Sequence, residues 1–340
     1  MAELFSNFAD FKQYVGGRIN QSVELDSLAS HIYEAARRHI TPYLGQAQYT
    51  ALLSGSLSVA QTALLPFIKR PLALLTLYEY SKIAGIEFGE SGMHRIETQD
   101  RKSAYRYQEK QYQLDCLEKG YEALEIMLKF LDDGKATYTE WAASEEAKVH
   151  RTPLLNYASD FRRLTHIQCD RYTFEALRPI ISEVQTYAVQ KALPVTFWAG
   201  FLSRHLAGTL TTEEKALREI MRKAIAHKAM EEATKLHWIQ LGGGRVFVSE
   251  EFGEQAQVNR TMPNGSAAGL YIPRAIWADR HSEAWKQYIL DNASSFTTVF
   301  DTASGGSNSS TDAWHIATTD EADAEAIALD EVRRRPVFRL

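Results

Sequence analysis

The stretch ELDSLASHIYEAARRHITPYLGQAQYTALLSG, residues 24–55, decides the fold. Leu25, Leu28, Ile32, Ala36 and Ile40 recur every three or four residues, which places them on one face of a helix. Asp26 and Ser27 stand near its start, where their side chains can accept free backbone N–H groups. Pro42 is expected to end it, since proline lacks an N–H and disfavours helix in the residue before it. Leu44 and Gly45 follow, then a short helical pattern with Tyr49, Leu52 and Leu53 that closes at Gly55. The unit reads helix, PYLG, short helix.

Outward from this unit the first half is helical. Residues 7–14, NFADFKQY, form a short amphipathic segment. Leu64, Ile68, Leu72, Leu75 and Tyr78 mark a long helix whose apolar residues wrap most of its circumference, implying contacts on several sides. Pro66 and Pro71 are expected to break or kink it. Residues 85–100 lose the period and carry Gly85, Gly89 and Gly92, which reads as a loop with room for a short hairpin. From 101 to 131 a narrow stripe of Leu114, Leu117, Tyr121, Leu124, Leu128 and Leu131 predicts a solvated helix with one packing seam, stopped by Asp132, Asp133 and Gly134. Residues 135–153 are polar and aperiodic and read as a linker.

After residue 153 the pattern restarts. NFADF at 7–11 is echoed by NYASDF at 156–161, and EAARRHITPYLGQAQYTALL at 34–53 by EVQTYAVQKALPVTFWAGFL at 183–202. One constant offset pairs Ile40 with Val189, Leu44 with Leu193, Tyr49 with Trp198 and Leu52 with Phe201. A second offset pairs Leu64 with Leu217, Ile68 with Met221 and Leu77 with Met230. A glycine-containing loop and a last helix (YEALEIML at 121–128, SEAWKQYI at 282–289) come next in both. In the second loop RVFVSEEF alternates like a strand, and LYI at 270–272 is its expected partner. The fold class expected is therefore mainly α: two tandem helical-bundle domains of one topology, with a small β-ribbon insertion in the second. The boundaries are 1–134, a linker at 135–153, 154–300, and a spacer with a C-terminal arm at 301–340. The arm ends in a basic and apolar tip, Arg333, Arg334, Arg335, Val337, Phe338 and Arg339, which reads either as a docking element or as a disordered charged tail.

Composition narrows the function. An apolar share of 45% and a charged share of 24% are those of an ordinary globular protein, and a net charge of −5 gives no global reason to expect nucleic acid or an anionic membrane. The N-terminus has neither a basic region nor a long apolar run, so no secretion signal and no membrane helix are expected. Cys116 and Cys169 stand singly in different halves, without a CxxC, which fits a reducing compartment. No Glu-x-x-His, His-Glu-x-x-His, phosphate-binding Gly-Lys-Ser/Thr or Gly-x-Ser-x-Gly occurs. His31 with Glu34 and His94 with Glu97 are single pairs, read as surface hydrogen bonds. No catalytic, metal or cofactor site is assigned.

The segments IYEAARRHITPYLGQAQYTALL, PLALLTLYEYSKIA, FGESGMHRI and YRYQEKQYQLDCLEKGYEALEIML together resemble the head–tail connector (adaptor, or head-completion) proteins of tailed bacteriophages. The resemblance covers residues 5–132, with 156–296 as a degenerate second copy; members are usually single-copy and shorter. It implies a non-enzymatic virion protein of the neck region, assembled in the bacterial cytoplasm as a homo-oligomeric ring. Its partners would be portal and tail or neck proteins, with DNA passing by and no sequence-specific contact. The alternatives are a helical interaction scaffold outside any virion, and an all-α enzyme with a dispersed site.

Overall fold

The computed structural model describes residues 4–19, 24–54, 56–83, 86–89, 92–95, 105–235, 239–242, 245–248, 280–281 and 284–300. The chain is mainly helical. Its first half comprises α1 (Phe8–Val15), α2 (Leu25–Ala35), a π turn (Ala36–Ile40), α3 (Thr41–Leu44), α4 (Gln46–Leu52), α5 (Val59–Ser81), a ribbon of β1 (Ile86–Gly89) and β2 (Gly92–Arg95), and α6 (Arg106–Asp133). Two short helices come next, α7 (Thr139–Ala143) and α8 (Glu145–Arg151). The second half comprises α9 (Ala158–Thr165), α10 (Arg171–Val184), a second π turn (Gln185–Val189), α11 (Val195–Ala207), α12 (Thr212–Lys235) and a ribbon of β3 (Ile239–Gly242) and β4 (Arg245–Val248). A helix at 284–291 comes last before two short turns.

The opening stretch behaves differently at Pro42. The chain does not leave the helix there; it widens one turn earlier. The Thr41 N–H reaches back five residues to the Ala36 carbonyl. This π turn opens the carbonyl ladder ahead of Pro42, which then sits at the start of α3, where the missing N–H costs little. The true stop is Gly45, at φ +84°, a conformation in which any side chain is strained.

The break expected at Pro66 and Pro71 does not occur: α5 runs unbroken through both. It starts with a capping box, Gln61 N–H to Ser58 Oγ at 3.2 Å and Ser58 N–H to Gln61 Oε1 at 2.9 Å. An interior proline costs about 3 kcal/mol. Against that, every residue from Pro71 to Leu77 is buried, and each fully buried Leu or Ile contributes roughly 1.5–3 kcal/mol. Packing on α6, α2 and α1 holds the helix together. At Gly120 α6 comes so close that a Cβ would lie 2.7 Å from Leu75 Cγ.

Each half has its own core. Phe11, Leu28, Ile40, Leu64, Ile68 and Leu128 are fully buried in the first; Phe161, Phe174, Leu177, Phe201, Leu217 and Ile225 are fully buried in the second. The two π turns end at Ile40 and Val189, the pair joined by the first constant offset. The second offset carries Leu64, Ile68 and Leu72 onto Leu217, Met221 and Ile225, all fully buried, and carries the first ribbon onto the second strand by strand.

The short hairpin read into 85–100 is present: β1 pairs antiparallel with β2, Gly89 opposite Gly92, so a ribbon occurs in both halves. Three other expectations need correction. The partner of Arg245–Val248 is Ile239–Gly242, immediately before it, because the connection between the two strands is short enough for a hairpin; residues 270–272 lie outside the described residues. Residues 135–153 are folded: Tyr138, Trp141, Ala147 and His150 are buried at spacings that are multiples of three, and the Trp141 indole N–H donates to the Tyr43 carbonyl at 3.0 Å. Nor is α6 solvated along most of its surface, for it packs on α5 and on α10 of the other half. The arm at 301–340, with Arg333, Arg334, Arg335, Val337, Phe338 and Arg339, lies outside the described residues.

Candidate functional site

The two halves meet through a charged network beside aromatic contacts, for Tyr157 and Tyr172 of the second half pack against the first core. Glu125 in α6, 5% exposed, reaches across to the start of α9 and accepts the backbone N–H groups of Ala158 at 2.9 Å and Ser159 at 3.1 Å. It thus caps a helix of the other half, using the free donors every helix N-terminus exposes. Lys129 stands 3.1 Å from the same carboxylate, and the buried Arg171 lies 3.8 Å away. Arg171 in turn pairs with Glu175 and donates to the Asn156 carbonyl at 2.7 Å. Burial pushes the Glu125 carboxyl up, but the Ser159, Arg171 and Lys129 contacts outweigh it and hold the group below its ordinary range. Within the second half, Gln185, the first residue of the second π turn, holds the segment ahead of α9: its Oε1 accepts the Leu154 N–H at 2.6 Å.

Below this joint lies a cleft of about 290 Å³, walled by both halves. Asp132 and Lys135 enter from the end of α6, Arg151 from α8, Asp160 from α9, His205 from α11, and Arg218 and Arg222 from α12. Asp132 accepts the Tyr157 hydroxyl and stands 3.2 Å from Arg151. Burial raises the Asp132 carboxyl, and the His150, Tyr157 and Arg151 contacts reverse that, leaving it lowered. Arg222 pairs with Asp160 and, at 2.7 Å, with Glu219. Burial, then the charges of Arg218, Arg222, Arg151 and Lys135, push the His205 imidazole down to about 4. At neutral pH this His is uncharged, and Tyr157, held above its ordinary range by burial and by Asp132, keeps its proton.

Neither cysteine lines the cleft: Cys169 is buried and its thiol is pushed up by that burial, and Cys116 is buried in the first core. Among the described residues no group of three or more His, Cys, Asp or Glu side chains is placed to hold a metal ion. Elsewhere His39 bridges Tyr121 Oη and Glu79 Oε1, both at 3.1 Å, tying the first π turn to α6 and α5. His31 packs edge-on against Tyr80, and Glu34 pairs with Arg38. Glu97, read as the partner of His94, lies outside the described residues. The seam is hard to see in the sequence because its residues are single polar positions in helices that read as solvated. The available signal was Glu125, which sits directly beside Leu124 of the buried stripe.

Among the described residues no helix is long and apolar enough to cross a membrane. A family model described as a family of unknown function (DUF6712) matches residues 28–151. That span runs from α2 through α8, so it takes α7 and α8 together with the first half. No curated protein and no solved structure matches the chain.

Proposed function

We propose that the chain is a non-enzymatic structural protein of a phage or prophage particle, two copies of one helical block in tandem, which forms a ring at the head–tail junction. The observation that carries this reading is the recurrence of one element order in both halves: helix, π turn, short helix, long buried helix, ribbon. The residues that carry the resemblance to connector proteins fall in that block. A block whose prolines, caps and close helix contacts serve packing is suited to fitting against neighbours. In this reading portal and neck proteins flank the ring, DNA slides through it, and an acidic chain avoids holding phosphate along the channel. The place is the virion neck.

Electron microscopy of the purified chain tests this. Closed rings of uniform size are expected; monomers alone at micromolar concentration reject it. Removing residues 333–340 is expected to weaken assembly while leaving the melting of the isolated subunit unchanged, and unaltered assembly would remove the arm's role. The cleft gives the enzyme alternative its one specific support, as a polar cavity with a displaced histidine. A histidine that stays neutral until pH falls to about 4 is a weak base, which favours binding over chemistry.

A further inference from the structure

We propose that the cleft between the two halves is a binding site for one oxyanion group, a phosphate or a carboxylate. The cavity, about 290 Å³, holds a phosphate together with several waters, each of which takes about 30 Å³. Its walls carry four fixed cations, Lys135, Arg151, Arg218 and Arg222, against two carboxylates, Asp132 and Asp160. Part of that charge is already matched within the protein. Asp132 is taken up by Arg151, and Asp160 and Glu219 by Arg222.

The other donors are underused. Lys135 Nζ gives hydrogen bonds to the Leu206 and Ala207 carbonyls, both at 3.2 Å, and among the described residues no carboxylate stands within pairing distance of it. Among the same residues Arg218 meets only Glu219, at 3.3 Å. Three buried nitrogens of the lining have no hydrogen-bond partner among the described residues: His205 Nδ1, Arg218 Nε and Arg222 Nε, the last on a side chain whose residue is 8% exposed. Buried donors are nearly always satisfied in native proteins, and the two arginine Nε–H groups, with His205 Nδ1 in the tautomer that carries its proton there, leave this cavity wall short of acceptors. An oxyanion supplies such acceptors, and Arg and Lys recognise it by charge-assisted hydrogen bonds. The depressed His205 agrees: burial lowers it first, and its neighbours Arg218, Arg222, Arg151 and Lys135 then all act on it as positive charge. The site does not depend on ring formation.

The test is calorimetric titration of the full chain with inorganic phosphate, and separately with acetate, at constant ionic strength. One phosphate per chain is expected, with the His205 pKa raised in the complex because the bound anion offsets the positive charges around it. Arg218→Gln and Lys135→Gln are each expected to weaken binding at least tenfold, whereas Arg37→Gln, exposed on the first π turn, leaves it unchanged. Phosphate binding much tighter than acetate points to a free or nucleotide-borne phosphate; the reverse order points to an acidic side chain of a neighbouring protein. Absence of saturable binding of either anion overturns the proposal, as does equal binding by Arg218→Gln. Should Arg218→Gln fail to fold, the His205 imidazole signal in the wild-type protein decides. A pKa rise with phosphate supports the site, and an unmoved pKa rejects it.

Discussion

Replacing Glu125 with Ala removes the acceptor on which the start of α9 rests. Two backbone N–H groups, of Ala158 and Ser159, lose their partner in a buried place. Leaving a buried donor unsatisfied costs about 1–3 kcal/mol. Arg171 keeps Glu175 but loses its second carboxylate, and stripping one member from a buried ion pair costs roughly 3–5 kcal/mol. These costs overlap, since one carboxylate serves all the partners, so about 3–5 kcal/mol is expected for the substitution as a whole. Glu125→Gln retains one acceptor oxygen and is expected to lose about half as much. Urea unfolding followed by circular dichroism measures both, and because each half has its own core, the Ala variant is expected to broaden or split the transition. Combining it with Arg171→Met should cost less than the two single changes added together. A loss below about 1 kcal/mol in Glu125→Ala, with a single sharp transition, would refute the claim that this carboxylate joins the halves.

Stability is expected to fall with acid in two stages. His205 has its folded pKa at about 4, below the 6.5 of the unfolded chain, so its contribution is complete above pH 6.5 and is lost as pH falls toward 4; His205→Gln should flatten that part of the pH–stability curve, by on the order of 2 kcal/mol. Glu219, at about 2 in the folded chain because its pairing with Arg163 and Arg222 outweighs burial, contributes stability above pH 4.5 that disappears as pH drops through 2. Gly120→Ala sets a helix-propensity gain of about 1 kcal/mol against a Cβ pressed to 2.7 Å from Leu75 Cγ; a net loss of about 1–2 kcal/mol in thermal unfolding is expected, and a gain would show that α5 and α6 can part without cost. Gln185→Ala leaves the Leu154 N–H buried without its acceptor and should cost about 1–3 kcal/mol in the same assay.

The helical architecture was legible because apolar spacing writes it directly. Leu28, Ile32 and Ile40 lie on the face predicted for them, all of them buried. Prolines misled, because their penalty is local while the burial that overrides it is not. Nothing near Pro66 or Pro71 in sequence reports that α6, α2 and α1 will close around α5. The π turn was equally hidden: it is a widening that accommodates Pro42 one turn later, and nothing in Ala36–Ile40 itself announces it. Residues 138–150 escaped notice because Glu, Lys and Thr surround a buried line spaced in threes. The seam was the least legible part. Glu125 and Arg171 lie far apart in the chain, and each alone reads as a solvated charge.

Polar positions at the seam and beside it differ from their counterparts within the recurring order. Gln185, which opens the second π turn and holds the Leu154 N–H, corresponds to Ala36, which opens the first and is buried among apolar neighbours. Arg171, at the first position of α10, corresponds by the same offset to Ser22, which can make no such pair. Two blocks of one element order would otherwise present interchangeable surfaces, free to pair in several ways. A buried charge contributes little net stability when paired, but it penalises every arrangement that leaves it unpaired. Glu125 facing α9 satisfies two N–H groups and Arg171 across the seam; a docking that offered no such groups would leave it only Lys129 of its own helix. The polar seam therefore selects one docking of second half on first, and leaves the apolar packing inside each block free of that task.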